Sequence, residues 1–252
     1  MKKFQYQKDK ISIILTGFKR NNFDLQLESI KNQSTIKQVN NIYLYQDENH
    51  VDLNKYREKY NLKHIHSKDF NFGFYGRMCM ALLMDTEYTL VIDDDVIIGE
   101  RWLENCLQLS KEKNCICGPA GRIVNDKTIS EIFDHTDSPD APFEEPLKVD
   151  FLIHSWFFKT EWLKYMFLTK PYTLYNGEDI HLSVSCQIHG NIDTYVPRQP
   201  SNDKSLWGDV NINLGSDDHA TWRRGGHGVI RGEIIKYWME KYNWKPIKYR
   251  NQ

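Results

Sequence analysis

Three consecutive aspartates, Asp93-Asp94-Asp95, directly follow an apolar run, Tyr88–Ile92. Because the side chains of an extended chain alternate between faces, Asp93 and Asp95 are predicted to point to one side and Asp94 to the other. Two carboxylates a few ångströms apart repel each other by about 1–3 kcal/mol at effective dielectric constants of ~20 to 80. A divalent cation such as Mg²⁺ or Mn²⁺ offsets that repulsion and commonly completes its coordination with phosphate oxygens. The triplet therefore predicts a metal site; the structural alternative is a solvated acidic turn or a cap of the predicted helix Glu100–Leu109.

A second acidic pair, Glu178-Asp179, stands at the predicted start of a helix. Asn176 is the predicted N-cap, which makes Asp179 the third helical residue. Acidic residues in a first helical turn are stabilised by the helix dipole by about 0.3–1 kcal/mol, so a structural role accounts for the pair. The chemical alternative is general-base catalysis, in which one carboxylate accepts a proton from an attacking hydroxyl.

A basic, glycine-rich segment, Thr221–Gly232, leads into the last predicted helix. Backbone N–H groups at a helix start bind anions, and arginines such as the pair Arg223-Arg224 bind phosphate in a bidentate manner. A neutral His227 is a candidate third metal ligand, and His219 competes with it for that role. The structural alternative is a cationic loop that closes on the acidic stretch Asp134–Glu145.

The elements that position these residues alternate between strands and helices in the first half of the chain. Apolar runs and periodicity predict strands at Ile11–Leu15, Ile42–Tyr45, Lys63–His66 and Tyr88–Ile92, and helices at Phe23–Gln33 and Gly76–Met84. Asn54–Tyr60 is predicted to be a polar surface helix. This order predicts an α/β fold with a mostly parallel sheet. Such sheets bind ligands at the carboxyl ends of their strands, where Thr16, Gln46-Asp47 and Asp93–Asp95 fall.

The second half of the chain is less regular. Its prolines and acidic residues predict a long surface loop or lid at Arg122–Leu147. An aromatic strand is predicted at Phe151–Phe158, followed by a helix from Asn176 to about Ile188. A loop at Arg198–Thr221 then precedes the final predicted helix, Val229–Tyr242. The sequence has no internal repeat and no low-complexity linker, so a single domain is predicted.

The composition of the chain excludes several classes of protein. Of its 252 residues, 40% are hydrophobic and 27% are charged, which is typical of a globular protein rather than a disordered one. Lys and Arg total 33 against 34 Asp and Glu, and the net charge of −1 argues against a protein that wraps nucleic acid. No apolar run approaches the ~20 residues of a membrane span, and the polar start Met1–Lys10 lacks the apolar core of a secretory signal. The odd number of cysteines favours a reducing compartment, so a cytoplasmic location is expected.

Aromatic residues make up 13% of the chain, and seven of them are tryptophans. Trp156-Phe157-Phe158 and Trp207 are candidates for stacking on sugar rings, and core packing is the structural alternative. Cys115-x-Cys117 has the wrong spacing for a zinc site and is predicted to be buried in a strand. The sequence contains no phosphate-binding loop ending in Gly-Lys-Ser/Thr, no nucleophile elbow and no His-Glu-x-x-His helix.

In their order along the chain, these motifs resemble those of nucleotide-sugar glycosyltransferases with the GT-A fold. The resemblance rests on Ile14–Arg20 at the end of the first strand, on Leu90–Asp95 and on Gly177–Asp179. The triple aspartate is similar to the DXD motif of that fold, and the set of motifs is most similar to that of the family-2 enzymes. The stretches Leu90–Leu103 and Ser155–Phe158 are also similar to exostosin C-terminal domains and small viral glycosyltransferases.

The resemblance implies one GT-A domain over residues 1–252, with a Rossmann-like, mostly parallel sheet flanked by helices and a smaller acceptor-side subregion. Residues 11–110 would form the nucleotide-binding half, and residues 111–252 the acceptor-side half with a closing C-terminal loop and helix. It implies Mn²⁺ or Mg²⁺ as cofactor, a UDP-sugar as donor of a hexose, and a hydroxyl of a glycan or glycoprotein as acceptor. The QxxRW motif of processive polysaccharide synthases is absent, so processive synthesis is not expected.

The resemblance also implies roles for residues that would bind the nucleotide. Thr16 and Arg20 would cradle the uracil or the ribose, and Asp47 would contact the base. Arg77 would approach the nucleotide from the segment after the third strand. The nucleotide-binding set is completed by the first aspartates of the triplet and by the basic segment: Asp93, Asp94, Arg223 and Arg224.

For the chemistry, the resemblance implies Asp95 as the direct metal ligand and Asp93 as a contact to the ribose or to metal-bound water. His227 would meet the diphosphate or the metal from the closing segment. Asp179 would be the general base of an inverting reaction, with Glu178 beside it.

Two other functions stay open at this point. A sugar-1-phosphate nucleotidyltransferase has similar nucleotide and metal requirements, but it needs a glycine-rich basic segment after the first strand. Thr16–Asn22, the segment at that position, has a single glycine, Gly17. A non-catalytic glycan-binding protein with a GT-A fold would suit the aromatic content.

Overall fold

A central eight-stranded sheet organises the computed structural model, which describes residues 4–46, 53–67, 69–125, 136–137, 141–211 and 214–250. The strands are β1 (Gln7–Gly17), β2 (Val39–Gln46), β3 (Leu62–His66), β4 (Thr86–Ile92), β5 (Ile116–Cys117), β6 (Ala120–Val124), β7 (Thr136–Asp137), β8 (Leu147–Val149), β9 (Phe151–Ile153), β10 (Ser155–Lys159) and β11 (Thr194–Val196). The large sheet has the order β3-β2-β1-β4-β10-β5-β11-β8, and β7-β6-β9 form a second, three-stranded sheet.

Helices cover both faces of the large sheet. They are α1 (Phe23–Lys31), α2 (Asn54–Tyr60), α3 (Tyr75–Ala81), α4 (Trp102–Lys113), α5 (Leu163–Met166), α6 (Glu178–Gly190) and α7 (His227–Tyr242). Strands β1 to β4 pair in parallel, as do β5 and β11, whereas β10 runs antiparallel to both of its neighbours and β11 pairs antiparallel with β8. The predicted α/β fold with a mostly parallel sheet flanked by helices is therefore confirmed.

Successive residues of the central strands pack into opposite layers of the core. Ile13 of β1 and Leu90 of β4 belong to the cluster that includes α1, α2 and α4. Ile14 and Val91, their neighbours in sequence, belong to the cluster that includes α3, α5 and α6. Because both faces are covered, the strands are apolar at consecutive positions, which is how the sequence could locate them.

The small sheet carries a third apolar cluster with the last two long helices. Phe151 of β9 packs there with Ile180 of α6 and with Ile234 and Trp238 of α7. This cluster packs the start of α6 against α7. The small sheet and these two helices form a smaller subregion next to the large sheet. In the described part of the chain, no helix has both the length and the apolarity to cross a membrane.

The predicted single strand Phe151–Phe158 is wrong in one respect, because the chain breaks at His154. His154 has a φ of 72°, in the left-handed region that residues other than glycine rarely adopt. The break is needed because β9 pairs with β6 in the small sheet while β10 pairs with β4 in the large one. The aromatic side chains of β10, Trp156, Phe157 and Phe158, are buried, so core packing accounts for them rather than sugar stacking.

The loop or lid predicted at Arg122–Leu147 is partly wrong as well. Its first residues belong to β6, which pairs with β9 because Ala120–Val124 is long enough to form a ladder. Phe143 forms an isolated antiparallel bridge with Gln199. Residues 126–135 and 138–140 lie outside the described residues. The predicted burial of Cys115 and Cys117 is confirmed.

The start of α6 also differs from the prediction. Gly177, not Asn176, is the N-cap, so Glu178 and Asp179 are the first and second helical residues. Gly177 has a φ of 79°, and a Cβ at this position would lie 2.4 Å from Cδ1 of Ile234 on α7. A glycine is required here because it alone combines this backbone conformation with the close approach of α7.

Replacing Gly177 with alanine is therefore expected to destabilise the protein by at least about 1–2 kcal/mol, through backbone strain and the clash with Ile234. Urea denaturation measures the change in the free energy of unfolding. Gly225→Ala is the matched control, since among the described residues, its chain neighbours aside, no atom lies within 4 Å of a Cβ there and its φ is not in the left-handed region. Equal stability of the two variants would show that the start of α6 is not constrained in this way.

Candidate functional site

A cavity of about 1990 Å³ opens at the carboxyl ends of β1 and β4. All the candidate catalytic, nucleotide-binding and metal-binding residues in the described part of the chain line it: Thr16, Arg20, Arg77, Asp93, Asp94, Asp95, Glu178, Asp179, Arg223, Arg224 and His227. The competing histidine, His219, lines it too. Asp47, the predicted base contact, lies outside the described residues. The fold thus gathers at one sheet edge residues that are far apart in sequence.

Asp93, Asp95 and His154 form the group best suited to bind a metal. One ligand atom from each, two carboxylate oxygens and an imidazole nitrogen, lie within 4.8 Å of one another. Oδ1 of Asp95 is buried, and no hydrogen-bond partner for it is found in the part of the chain that the structure describes. A buried oxygen without a donor needs a cation or a water to compensate its desolvation. The donor set fits Mn²⁺ or Mg²⁺, which bind through carboxylates, with imidazole favouring Mn²⁺.

The backbone around this group is held from two sides. Nε2 of the buried Gln26, on α1, donates to the carbonyl oxygens of Asp93 at 2.6 Å and of Val96 at 3.1 Å. The Asp93 N–H donates to the carbonyl oxygen of His154 at 3.0 Å. Because β10 runs antiparallel to β4, with Ser155 opposite Ile92, the residue before β10 lies beside the residue after β4. This register brings His154 to the aspartates.

Sequence reasoning missed His154 as a site residue. It is the one ionisable residue in the aromatic run Phe151–Phe158, and that interruption was the signal available in the sequence. The candidate metal-binding group found among the described residues contains His154 and not His227. Nδ1 of His227 instead lies 3.1 Å from Nδ2 of Asn176. Burial lowers the pKa of His227 to about 4, which keeps its imidazole neutral near pH 7.

Arg20 connects the aspartate triplet with the C-terminal segment. Its Nη1 donates to Oδ1 of Asp94 at 2.7 Å and to Oδ2 of Asp95 at 2.9 Å. Its Nε and Nη2 donate to the two carboxylate oxygens of Asp217, both at 2.7 Å. These bonds lower the pKa of Asp217 to about 2. Burial raises the pKa of Asp94 to about 7 even though Arg20 opposes the shift.

Arg77 lies deeper and joins the two acidic motifs. Its Nη1 donates to Oγ1 of Thr16 at 2.9 Å and also to Oδ1 of Asp93. Its Nη2 donates to Oε1 of Glu178 at 2.7 Å. The Arg77 side chain is only 4% exposed, and its guanidinium stacks 5.0 Å from the ring centroid of Trp156. The structure therefore places Arg77 between the carboxylates, where it orients Asp93 and Glu178.

Glu178 and Asp179 have different surroundings although they are adjacent. Both oxygens of Asp179 accept from Arg231, at 2.9 and 2.6 Å, in a buried bidentate ion pair. Glu178 accepts from Arg77 through Oε1, and among the described residues no donor to its Oε2 is found. Burial and the neighbouring charge of Asp179 raise the pKa of Glu178 to about 7, against the opposing effect of Arg77. Of the two residues in this acidic pair, Glu178 is thus the carboxyl group that is poised to exchange a proton near neutral pH.

The two arginines of the basic segment lie at the edge of the cavity. Arg223 and Arg224 are both exposed, and Nη2 of Arg223 donates to the carbonyl oxygen of Ser216 at 3.1 Å. Nη1 of Arg223 also lies 3.6 Å from the exposed carboxylate of Asp218. Their side chains are therefore accessible to an anion that enters the cavity, unlike the buried guanidinium of Arg77.

Comparison with known proteins gives structural but not sequence relatives. No family model matches the chain, and no curated protein matches it. The crystal structure of TarS from S. aureus aligns with a TM-score of 0.54 and 20% identity over 75% of this chain and 36% of the TarS chain. Two crystal structures of TarS 1-349 align with TM-scores of 0.52 and 20% identity; the first covers 76% of this chain and 61% of its own.

The second of these, TarS 1-349 in complex with UDP, aligns over 75% of this chain and 60% of its own. The chain thus spans less than two thirds of the length of each of these structures. At this level of identity the likeness establishes a shared fold, and it confirms the α/β, GT-A-type architecture that the sequence predicted. The narrower resemblance to exostosin domains and small viral glycosyltransferases stays a prediction.

Proposed function

We propose that the protein is a metal-dependent glycosyltransferase that moves a hexose from a UDP-sugar to a hydroxyl of a glycan or glycoprotein. The observation that carries the proposal is the group of Asp93, Asp95 and His154, whose ligand atoms lie within 4.8 Å at the carboxyl end of β4. The fold in which this group lies is shared with TarS, and one TarS structure contains UDP. Ligands of open α/β sheets bind at this edge.

Asp93, Asp95 and His154 would hold the cation. When bound, a divalent cation supplies positive charge that stabilises the departing diphosphate. Arg223 and Arg224, exposed at the cavity edge, would pair with the phosphate oxygens through their guanidinium groups. Thr16, in β1, and Arg20, three residues after its end, line the cavity and would contact the nucleoside.

Glu178 is the better candidate for the general base, although the sequence favoured Asp179. Both oxygens of Asp179 are engaged by Arg231, so Asp179 holds α7 against α6. Glu178 has an oxygen without a donor among the described residues, and it lines the cavity. In an inverting transfer, Glu178 would accept the proton of the acceptor hydroxyl as the oxygen of that hydroxyl bonds to the anomeric carbon. The bond from the anomeric carbon to the diphosphate oxygen would break in the same step.

The proposed function predicts release of UDP from a UDP-hexose. We expect the protein with Mn²⁺ to hydrolyse at least one of UDP-glucose, UDP-galactose and UDP-N-acetylglucosamine slowly, with water as the acceptor. A coupled assay for UDP measures the rate. Asp95→Asn should lose the activity, whereas the remote surface variant Glu240→Gln should keep it. If no UDP-sugar is hydrolysed and none serves as a donor to any glycan, the proposal is wrong.

Metal dependence predicts that UDP binds at least about tenfold more tightly with Mn²⁺ than with EDTA, as measured by isothermal titration calorimetry. His154→Ala and Asp95→Asn should each abolish most of the difference, because each removes a ligand atom of the group. His227→Ala should preserve it, since His227 does not belong to the group. The reverse result for the two histidines would restore His227 as the ligand.

Glu178→Gln is expected to lower kcat by roughly 10²-fold or more without weakening UDP binding, because it removes the base but keeps the shape of the side chain. The wild-type rate should rise with pH through the pKa of Glu178, about 7, because the base acts only when it is deprotonated. This rise should be absent from the remaining activity of Glu178→Gln. A pH profile that is the same in both proteins would exclude Glu178 as the base.

Asp179→Asn gives the complementary result if Asp179 is structural. Removing the charge from the buried pair with Arg231 should cost about 3–5 kcal/mol in the free energy of unfolding. Glu240→Gln, which affects only an exposed pair with Lys236, should cost less than about 1 kcal/mol. An Asp179→Asn protein that is fully stable but inactive would return the role of base to Asp179.

A further inference from the structure

Several aromatic side chains that line the candidate cavity are exposed to solvent, and four of them come from the segments 70–73 and 170–175. Phe70, Phe72, Tyr172 and Tyr175, here called the aromatic rim, have exposed fractions of 64%, 53%, 45% and 85%. All four line the same cavity as Asp93 and Glu178. Side chains of this size are usually buried, so an exposed group of them at the mouth of a cavity indicates a ligand surface.

The aromatic rim comes from two segments, residues 70–73 and 170–175, that contact each other. Gly73, with a φ of 56°, lies so close to Leu174 that a Cβ on it would be 3.4 Å from the Leu174 carbonyl oxygen. The rings of Phe70 and Phe72 pack edge to face with centroids 4.7 Å apart. The Tyr172 hydroxyl donates to Glu233 at 3.2 Å, which ties the second segment to α7. The two segments therefore contact each other, and Tyr172 ties the second of them to α7.

The size of the cavity leaves room for a second ligand. Its volume of about 1990 Å³ is about twice the upper end of the ~300–1,000 Å³ that is typical of a pocket for one small molecule. The donor would occupy the part next to Asp93, Asp95 and His154. The aromatic rim borders the remainder, and Tyr175 stands three residues before Glu178, the proposed base.

The groups between the rings select the kind of ligand. Asn71, Lys170 and Thr173 line the cavity in the same two segments as the rings. A lipid chain would desolvate the Lys170 ammonium and the amide N–H₂ of Asn71 without offering them hydrogen bonds, at a cost in free energy. A sugar ring instead offers an apolar C–H face to an aromatic ring and hydroxyl groups at its edge to the polar side chains.

We infer that the aromatic rim is an acceptor subsite for an oligosaccharide, which stacks sugar rings on Phe72 and Tyr175 while its terminal hydroxyl reaches Glu178. The inference rests on the proposed function and adds the substrate class, because it requires an acceptor of several sugar units rather than a single sugar or an isolated protein hydroxyl. Binding should therefore increase with the number of sugar units, and it should depend on the rings.

The test is calorimetric titration of the whole protein, with Mn²⁺ and saturating UDP, against maltotetraose, cellotetraose, mannotetraose and chitotetraose. At least one tetrasaccharide is expected to bind, and at least about tenfold more tightly than its monosaccharide. Phe72→Ala and Tyr175→Ala should each weaken that binding by about five- to tenfold, and the double variant should weaken it further. The Kd of UDP should stay unchanged in all of these variants.

Phe4→Ala is the matched control. Phe4 is also 64% exposed and also packs edge to face on a second ring, that of Tyr6, but it lies outside the cavity. Phe4→Ala should bind the tetrasaccharide as the wild type does. If Phe4→Ala also lost binding, the effect would not be specific to rings that line the cavity, and the inferred subsite would be wrong.

Three results would overturn the inference. They are no binding of any tetrasaccharide, wild-type binding by the Phe72→Ala and Tyr175→Ala double variant, and binding of the rim to vesicles of phosphatidylglycerol and phosphatidylcholine in place of glycans. Metal-dependent UDP binding that persists in these cases would leave the proposed function standing. Its absence from the wild type would count against the proposed function itself.

Discussion

Neutralisation of clustered carboxylates is the constraint on which the site depends. Five acidic side chains meet at one sheet edge: Asp93, Asp94, Asp95, Glu178 and Asp179. Three guanidinium groups hold them, with Arg20 on the second and third aspartates, Arg77 between Asp93 and Glu178, and Arg231 on Asp179. These five carboxylates outnumber the three guanidinium groups that contact them even before Asp217 is included, and a divalent cation would offset part of the excess. The helices and strands around the cavity are anchored to one another by these pairs.

The first half of the fold could be predicted from the sequence because its strands are short apolar runs between amphipathic helices. Strands β1 to β4 and helix α2 appear where periodicity placed them, with small shifts at their ends. The second half could not be predicted as well. Strand β10 inserts antiparallel between β4 and β5, and such a position depends on pairing with residues far away in sequence. The break at His154 follows from that insertion, since one continuous strand cannot belong to two sheets.

The residue types of the candidate site could be predicted from the sequence, but their pairing could not. The spacing of the aspartates and the position of Glu178-Asp179 before a helix identified acidic motifs. Which arginine would neutralise which acid is set by contacts such as that of Arg77 with Glu178, 101 residues apart. Those contacts separate Asp179, bound through both oxygens, from Glu178, bound through one. A local sequence pattern carries no information on such a difference, and the same is true of His154.

The double engagement of Arg20 has a consequence for how the mouth of the cavity is built. The Arg20 side chain donates hydrogen bonds both to Asp94 and to Asp217, which is 197 residues further along the chain. These ion pairs join two segments that are far apart in the sequence at the mouth of the cavity. Truncating the chain before Asp217 would remove the carboxylate that pairs with Arg20. The segment from Gly215 to Arg231 contributes residues to the lining of the cavity, so this truncation would also remove part of the cavity wall.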